Sequence, residues 1–198
     1  QIIAQILSKT SVTSVTSTDN GQEYVLPERK GAYKRRFLNN YDTFVYDKKE
    51  DICPEASYRS LDTVVGSCEI IFQCLPTPMR KSGECDTRIL EKVVAGINLE
   101  CRDDPNRNRP ILVIKSTIPP GTTEKLNKIA TVLDVCFSPE FLTEANSFED
   151  FKNQTRIIIG GPRPATGTVK QMFRKAFPKI PIIKTGTKTA EMVKYFTN

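Results

Sequence analysis

The stretch ILVIKSTIPPGTTEKLNKIATVLDVCF, residues 111–137, decides the fold. It opens on ILVIKST (111–117), an apolar run rich in β-branched residues, which Pro119-Pro120 stop. TTEKLNKIA (122–130) follows and brings Leu126, Ile129 and Ala130 onto one stripe, with a threonine expected as the helix cap. TVLDVCF (131–137) is apolar again. Strand, helix and strand in so short a span predict two parallel strands joined by a crossover helix.

The same alternation continues on both sides. TFVYD (43–47), CEIIFQCLPTP (68–78), RIIIGG (156–161) and IPIIKTG (180–186) are further short apolar runs, of the kind buried on both faces of a parallel sheet. Helical spacing is found in DTRILEKVVAGINL (86–99), in PATGTVKQMFRKAF (164–177) and at TAEMVKYF (189–196). In the second of these, Val169, Met172, Phe173, Ala176 and Phe177 share one face. The prediction is an α/β fold: a doubly wound, mostly parallel sheet with helices on both faces. Residues 1–22 hold the Ser/Thr-rich SKTSVTSVTSTDNGQ and read as a weakly structured segment, with the domain proper over 23–186.

Composition narrows the function classes. The chain has 198 residues and a formal net charge of +6, from 29 basic and 23 acidic residues. The basic residues read as spread along the chain without interleaved aromatics, so no nucleic-acid partner is expected. No run approaches the roughly 18–20 apolar residues of a membrane span, and the N-terminus does not read as a secretory signal. There are six cysteines and no histidine. No CxxC pair occurs, so no metal site is expected, and a Ser-His or Cys-His nucleophile is excluded. Cys68, Cys74 and Cys136 lie in apolar runs, as small hydrophobes do, which suits a reduced, cytoplasmic protein.

Ligands of open α/β sheets bind at the carboxyl ends of the strands. Those ends carry Asp47, Pro76-Thr77-Pro78, Ser116-Thr117, and SPEFLTE (138–144), where two acids flank an apolar pair. Standing alone, Glu140 and Glu144 read equally as surface acids, and Ser147 with Asp150 as a helix cap. LPTPM (75–79) resembles the VPTP signature of the UDP-glucose/GDP-mannose dehydrogenase family. KSTIPPGTTEKL (115–126) resembles its KSTVPVGTT, SPEFLTE its NPEFLREG, RIIIGG its RIVIG, and TAEMVKYFTN (189–198) its AELVKYAANAF. The five motifs stand in the family's order.

The resemblance implies a Rossmann-like NAD-binding domain and an enzyme that oxidises a nucleotide sugar twice, to the uronic acid. It implies that Asp47 meets the adenosine ribose and that Thr77 lines the cofactor cleft. Thr117 positions a catalytic water and the nicotinamide end. Glu140 is the acid/base on that water, Phe141 and Leu142 offer backbone to the sugar, and Glu144 faces the nicotinamide. It also implies that residues 187–198 begin a central dimerisation helix. Either self-association through Met192, Val193 and Phe196 or a separate C-terminal half would complete the site. The lysine, asparagine and cysteine of the second oxidation are expected beyond residue 198.

The glycine-rich turn departs from the pattern. GxGxxG is expected near residues 25–32, which read VLPERKGA, and only Gly31 can serve as one of its glycines. Pro27, Glu28 and Arg29 stand where the backbone should approach a diphosphate. Three readings therefore stay open: the N-terminal half of a nucleotide-sugar dehydrogenase, a non-catalytic binding or assembly module derived from one, and an unrelated basic nucleotide-binding protein. An acid at position 47 favours NAD over NADP, while Lys48 and Lys49 work against that preference.

Overall fold

The computed structural model describes residues 35–37, 41–43, 65, 68–102, 109–143 and 145–197. The chain divides into two units, Gln1–Val64 and Val65–Asn198. In the first, β1 (Arg35–Phe37) and β2 (Tyr41–Thr43) form an antiparallel ladder, with Arg35 opposite Thr43 and Phe37 opposite Tyr41. Of the strand expected over 43–47, Thr43 is the last residue of β2 and the rest lies outside the described residues, as does the segment 1–22.

The second unit holds a five-stranded sheet in the order β3-β4-β5-β6-β7: Ile70–Gln73, Ile111–Ile114, Asp134–Phe137, Ile157–Gly160 and Ile182–Thr185. The helices given in full among the described residues are α1 (Arg88–Arg102), α2 (Thr122–Ile129), α3 (Ser147–Lys152), α4 (Ala165–Ala176) and α5 (Thr187–Phe196). The fold is α/β and Rossmann-like, and the sheet is mostly parallel: β3, β4 and β5 run together, and β6 pairs in parallel with β7. One expectation needs correction, because RIIIGG and IPIIKTG do not continue the same direction. β6 meets β5 antiparallel, through the single pair Phe137 and Gly160. The connection between them explains this. Its helix among the described residues, α3, has six residues. It is ~9 Å long, shorter than the ~13 Å strand it would have to run back along for a parallel crossover.

Alternation of side chains divides the core between the two faces. Ile111, Val113, Cys136, Ile157, Ile159 and Ile182 face α4, where Ala165, Val169 and Phe173 cover them. The ring of Phe173 meets Phe72 edge-on at 5.9 Å, so truncating Phe173 to alanine should cost about 3–5 kcal/mol. Leu112, Ile114, Val135 and Phe137 point to the opposite face and are fully buried. There α2 and α5 pack on β5 and β6. The two glycines of RIIIGG allow this packing. A Cβ at Gly160 would stand 2.7 Å from the Ala190 Cβ on α5, and one at Gly161 would stand 2.6 Å from the Cys136 sulfur.

Side chains complete the ladders that the short strands leave unfinished. Asn127 on α2 bonds both backbone groups of Val135, accepting from its N–H at 2.9 Å and donating to its carbonyl at 2.8 Å. On α1, Asn98 accepts from the Val132 N–H at 3.0 Å. The cap of α2 is also a correction: the N-cap is Gly121, in the left-handed region at φ +92, and not a threonine. Its amides are satisfied from α5, as described below.

Candidate functional site

The carboxyl ends of β3, β4 and β5 share one edge, and the loops that leave it are tied together. The prolines at 76 and 78 have no N–H to extend a ladder. Hydroxyls do this instead. Ser116 Oγ donates to the Leu75 carbonyl at 2.6 Å and accepts from the Leu75 N–H at 2.9 Å. Thr77 Oγ1 donates to the Thr117 carbonyl at 2.7 Å. The Cys85 thiol reaches the carbonyls of Thr77 and Thr117 at 3.9 and 3.8 Å. Among the described residues, the Thr117 hydroxyl itself makes no hydrogen bond, and its side chain is exposed. At the end of β3, the side-chain amide of Gln73 is buried with neither its nitrogen nor its oxygen paired.

On the next strand, Ile114 pairs with Phe137, so Thr117 and Glu140 each stand three residues beyond a matched pair. Two lysines fix the loop that carries Glu140. Lys115 is 6% exposed and donates to Ser138 Oγ at 3.4 Å and to the Pro139 carbonyl at 3.2 Å. Lys194, on α5, is 8% exposed and donates to the Glu140 carbonyl at 2.5 Å. Burial lowers the Lys115 ammonium to about 8, against an opposing pull from the Glu140 charge. Burial lowers Lys194 as well, and Glu140 again opposes it. The Glu140 side chain is half-buried, and its carboxylate accepts no hydrogen bond among the described residues.

Phe141, next in the chain, lies under Arg156 at 4.8 Å and near Lys194 at 5.8 Å. Leu142 is half-buried beside it. Asp150 holds the far side of the loop, accepting from the Thr143 N–H at 2.8 Å and the Thr143 hydroxyl at 2.6 Å. The acid of the expected Ser147–Asp150 cap thus reaches back across the loop, and the N-cap of α3 is Asn146.

Helix α5 pins a second loop with a carboxylate. Glu191 is fully buried and accepts from Gly121 N–H at 2.6 Å, Thr123 N–H at 2.7 Å and Thr123 Oγ1 at 2.6 Å. An anion is thereby held on the free amides at the start of α2.

The structure therefore brings Thr77, Thr117, Glu140, Phe141 and Leu142 to one edge. Gly31, Asp47 and Glu144 lie outside the described residues. Sequence reasoning missed Lys115, Glu191 and Lys194, and marked Ser116 as a strand-end residue without a role. A signal was present for Glu191 and Lys194: an acid and a base three apart in AEMVK fall on one side of a helix, next to the small Ala190.

Residues 55–177 match the NAD-binding domain of the UDP-glucose/GDP-mannose dehydrogenase family. The chain belongs to this family. It is 29% identical over 145 residues to the UDP-glucose 6-dehydrogenase TuaD of Bacillus subtilis, covering 70% of this chain and 30% of TuaD. Among solved structures, GDP-mannose dehydrogenase from Pseudomonas aeruginosa aligns with a TM-score of 0.63 at 25% identity, over 71% of this chain and 34% of that one. UDP-glucose dehydrogenase from Pyrobaculum islandicum aligns with a TM-score of 0.60 at 27% identity, over 74% and 35%. This family member spans about a third of the length of these relatives. No helix among the described residues is long and apolar enough to cross a membrane.

The cofactor of the family domain is NAD. The described part of the edge suits it. The loops after β3 and β4 are fixed by their own hydroxyls, the Thr117 side chain is open to solvent, and the Gln73 amide is an unpaired donor and acceptor at the strand end.

Proposed function

We propose that this chain is the cofactor-binding part of an NAD-dependent nucleotide-sugar 6-dehydrogenase, acting on a sugar of the UDP-glucose type on the way to its uronic acid. The observation that carries this reading is the half-buried Glu140, free of hydrogen bonds among the described residues, whose charge acts on the ammonium groups of both Lys115 and Lys194. Bound NAD supplies the acceptor for the hydrogen leaving C6 with its electron pair. Glu140 takes the hydroxyl proton through a water held by Thr117. Lys194 stands where negative charge builds on the sugar oxygen. The apolar cover of Phe141 and Leu142 keeps bulk water from the carboxylate. Gly31 and Asp47 are assigned to cofactor binding, and Glu144 to the nicotinamide side, by the family resemblance of the sequence alone. A homo-oligomer built on α5, or a separate C-terminal half, supplies the remaining groups. The domain boundaries at 23, 186 and 187 belong to this same proposal.

The test is a calorimetric titration of the 198-residue chain with NAD, with NADP as control. Saturable NAD binding, weakened at least tenfold in Asp47→Ala and reduced in Thr117→Ala, is the expected result. No heat at millimolar cofactor would remove the enzyme reading and leave a binding or assembly module.

A further inference from the structure

The basic residues run along the chain, but net positive charge is concentrated in one block. Residues 151–190 contain nine of the 29 basic residues and none of the 23 acidic ones, so the rest of the chain is net acidic by three. The fold gathers part of this block. Lys170, Gln171, Arg174 and Lys175 on α4, with Gly167, face Lys184 on the edge strand β7 across a groove of about 480 Å³. Ile182 faces α4, and two residues on Lys184 points the same way. Among the described residues, no acid lines the groove.

Some cations of the same unit are paired. Arg80 and Arg88 meet Asp86, Arg109 meets Asp134, Lys125 meets Glu91 and Lys188 meets Glu124. Among the described residues, no carboxylate stands within ion-pair distance of Lys170, Arg174 or Lys184. Ordinary causes explain part of this. Arg174 and Lys175 suit the last turn of a helix, and Arg174 donates to the carbonyls of Pro178 and Ile180 at 2.8 and 3.2 Å. A lysine on an edge strand guards against pairing with another chain. Neither cause explains Lys170, which repels Arg174 at i, i+4, nor the absence of every acid over forty residues.

We propose that the groove between α4 and β7 binds a small anion carrying two or more linked phosphate groups. Its volume suits a compact ligand. Arg174 is held by its two carbonyl contacts and presents a fixed fork, the geometry that matches phosphate oxygens, with lysines on both walls to add charge. Among the described residues no aromatic lines the groove, so these offer no stacking platform for the bases of a single-stranded nucleic acid. This site uses none of the residues placed in the cofactor cleft, and it stands or falls independently of the proposed function.

The experiment titrates the 198-residue chain with inorganic tripolyphosphate by calorimetry, with and without saturating NAD. One saturable site is expected, unchanged by NAD and weakened several-fold between 50 and 300 mM NaCl. The double variant Lys170→Ala/Lys184→Ala should lose at least tenfold in affinity, while Lys92→Ala/Lys128→Ala, on exposed positions of α1 and α2, should lose less than twofold. Circular dichroism confirms that both variants fold. Equal losses in the two variants, or heats that only track ionic strength, would overturn the proposal. Competition by NAD would place the tripolyphosphate in the cofactor cleft and overturn it too. Titration with ADP separates a nucleotide from a free oligophosphate as the source of the phosphates. Tighter binding of a 20-residue polyuridine through the same two lysines would replace the small ligand with a nucleic acid.

Discussion

Two acids of the second unit sit at opposite ends of a physical scale, and one helix relates them. Glu191 is fully buried, and three short hydrogen bonds from Gly121 and Thr123 use its carboxylate. Glu140 is half-buried and accepts no hydrogen bond among the described residues, while Lys194 of the same helix as Glu191 grips its backbone. A saturated carboxylate holds structure together and has nothing left to offer a ligand. An unsaturated one beside two desolvated ammonium groups is held in place through its main chain, which leaves the side chain available for chemistry. Helix α5 thus fixes two loops at this edge, one through an anion and one through a cation.

The most severe test of this contrast is Glu191→Ala. It leaves the buried Thr123 N–H and the half-buried Gly121 N–H at the start of α2 without a partner and removes the link from α5. We expect a loss of about 3–5 kcal/mol in urea unfolding, with Glu191→Gln in between. A loss under about 1 kcal/mol would mean that the α2 amides find water and that the contrast is false.

Lys115 comes next, because its ammonium is the most deeply buried charge at the edge. Burial holds it at about 8, below its ordinary 10.5. Below about 8 the folded and unfolded chains are both protonated, and the fold carries the full cost of the buried charge. Between about 8 and 10.5 the folded chain releases its proton first, so the stability contributed at this position rises with pH. The stability of the wild type relative to Lys115→Met should therefore climb from pH 7.5 to pH 10, by up to about 1.4 kcal/mol per pH unit. A difference that stays flat, or falls, over that range rules out the lowered ammonium.

Gly160→Ala should have a smaller effect, about 1–3 kcal/mol, by forcing α5 away from β6 where a Cβ would stand 2.7 Å from Ala190. The shift would move Glu191 and Lys194 together, so both loops should loosen in hydrogen exchange. Loosening of the α2 loop alone would show that the two loops are not held by a common helix.

Much of the fold was legible because strand and helix periods are local. ILVI, DVCF, IIIG and the Val169–Phe173 stripe each announce their element within a few residues. The reversal of β6 was not legible, since it depends on the reach of the connection through α3 and not on the apolar run of the strand itself. The strand ends marked the edge correctly for Thr77, Thr117 and Glu140, because proline and hydroxyl residues after an apolar run are a local signal. Lys115, Glu191 and Lys194 were missed because their partners lie 23 to 70 residues away, and lysine and glutamate on a helix normally face water. The charge block at 151–190 was legible in the sequence and was overlooked, because charge was summed over the whole chain rather than along it.

The smallest expected effect on stability is also the sharpest test of the difference between the two acids. In Glu140→Gln no hydrogen bond of the described carboxylate is lost, so unfolding free energy should change by less than about 1 kcal/mol. The substitution does remove a charge that favours the protonated form of Lys115 and of Lys194, second to the burial that opposes it. Both lysines should then deprotonate at lower pH, Lys115 moving below about 8, as followed by NMR of the lysine side-chain nitrogens. A loss of several kcal/mol would put Glu140 in the same structural class as Glu191. An unchanged lysine midpoint would mean that the carboxylate points away from both ammonium groups, and the proton-transfer role proposed for it would go with that geometry.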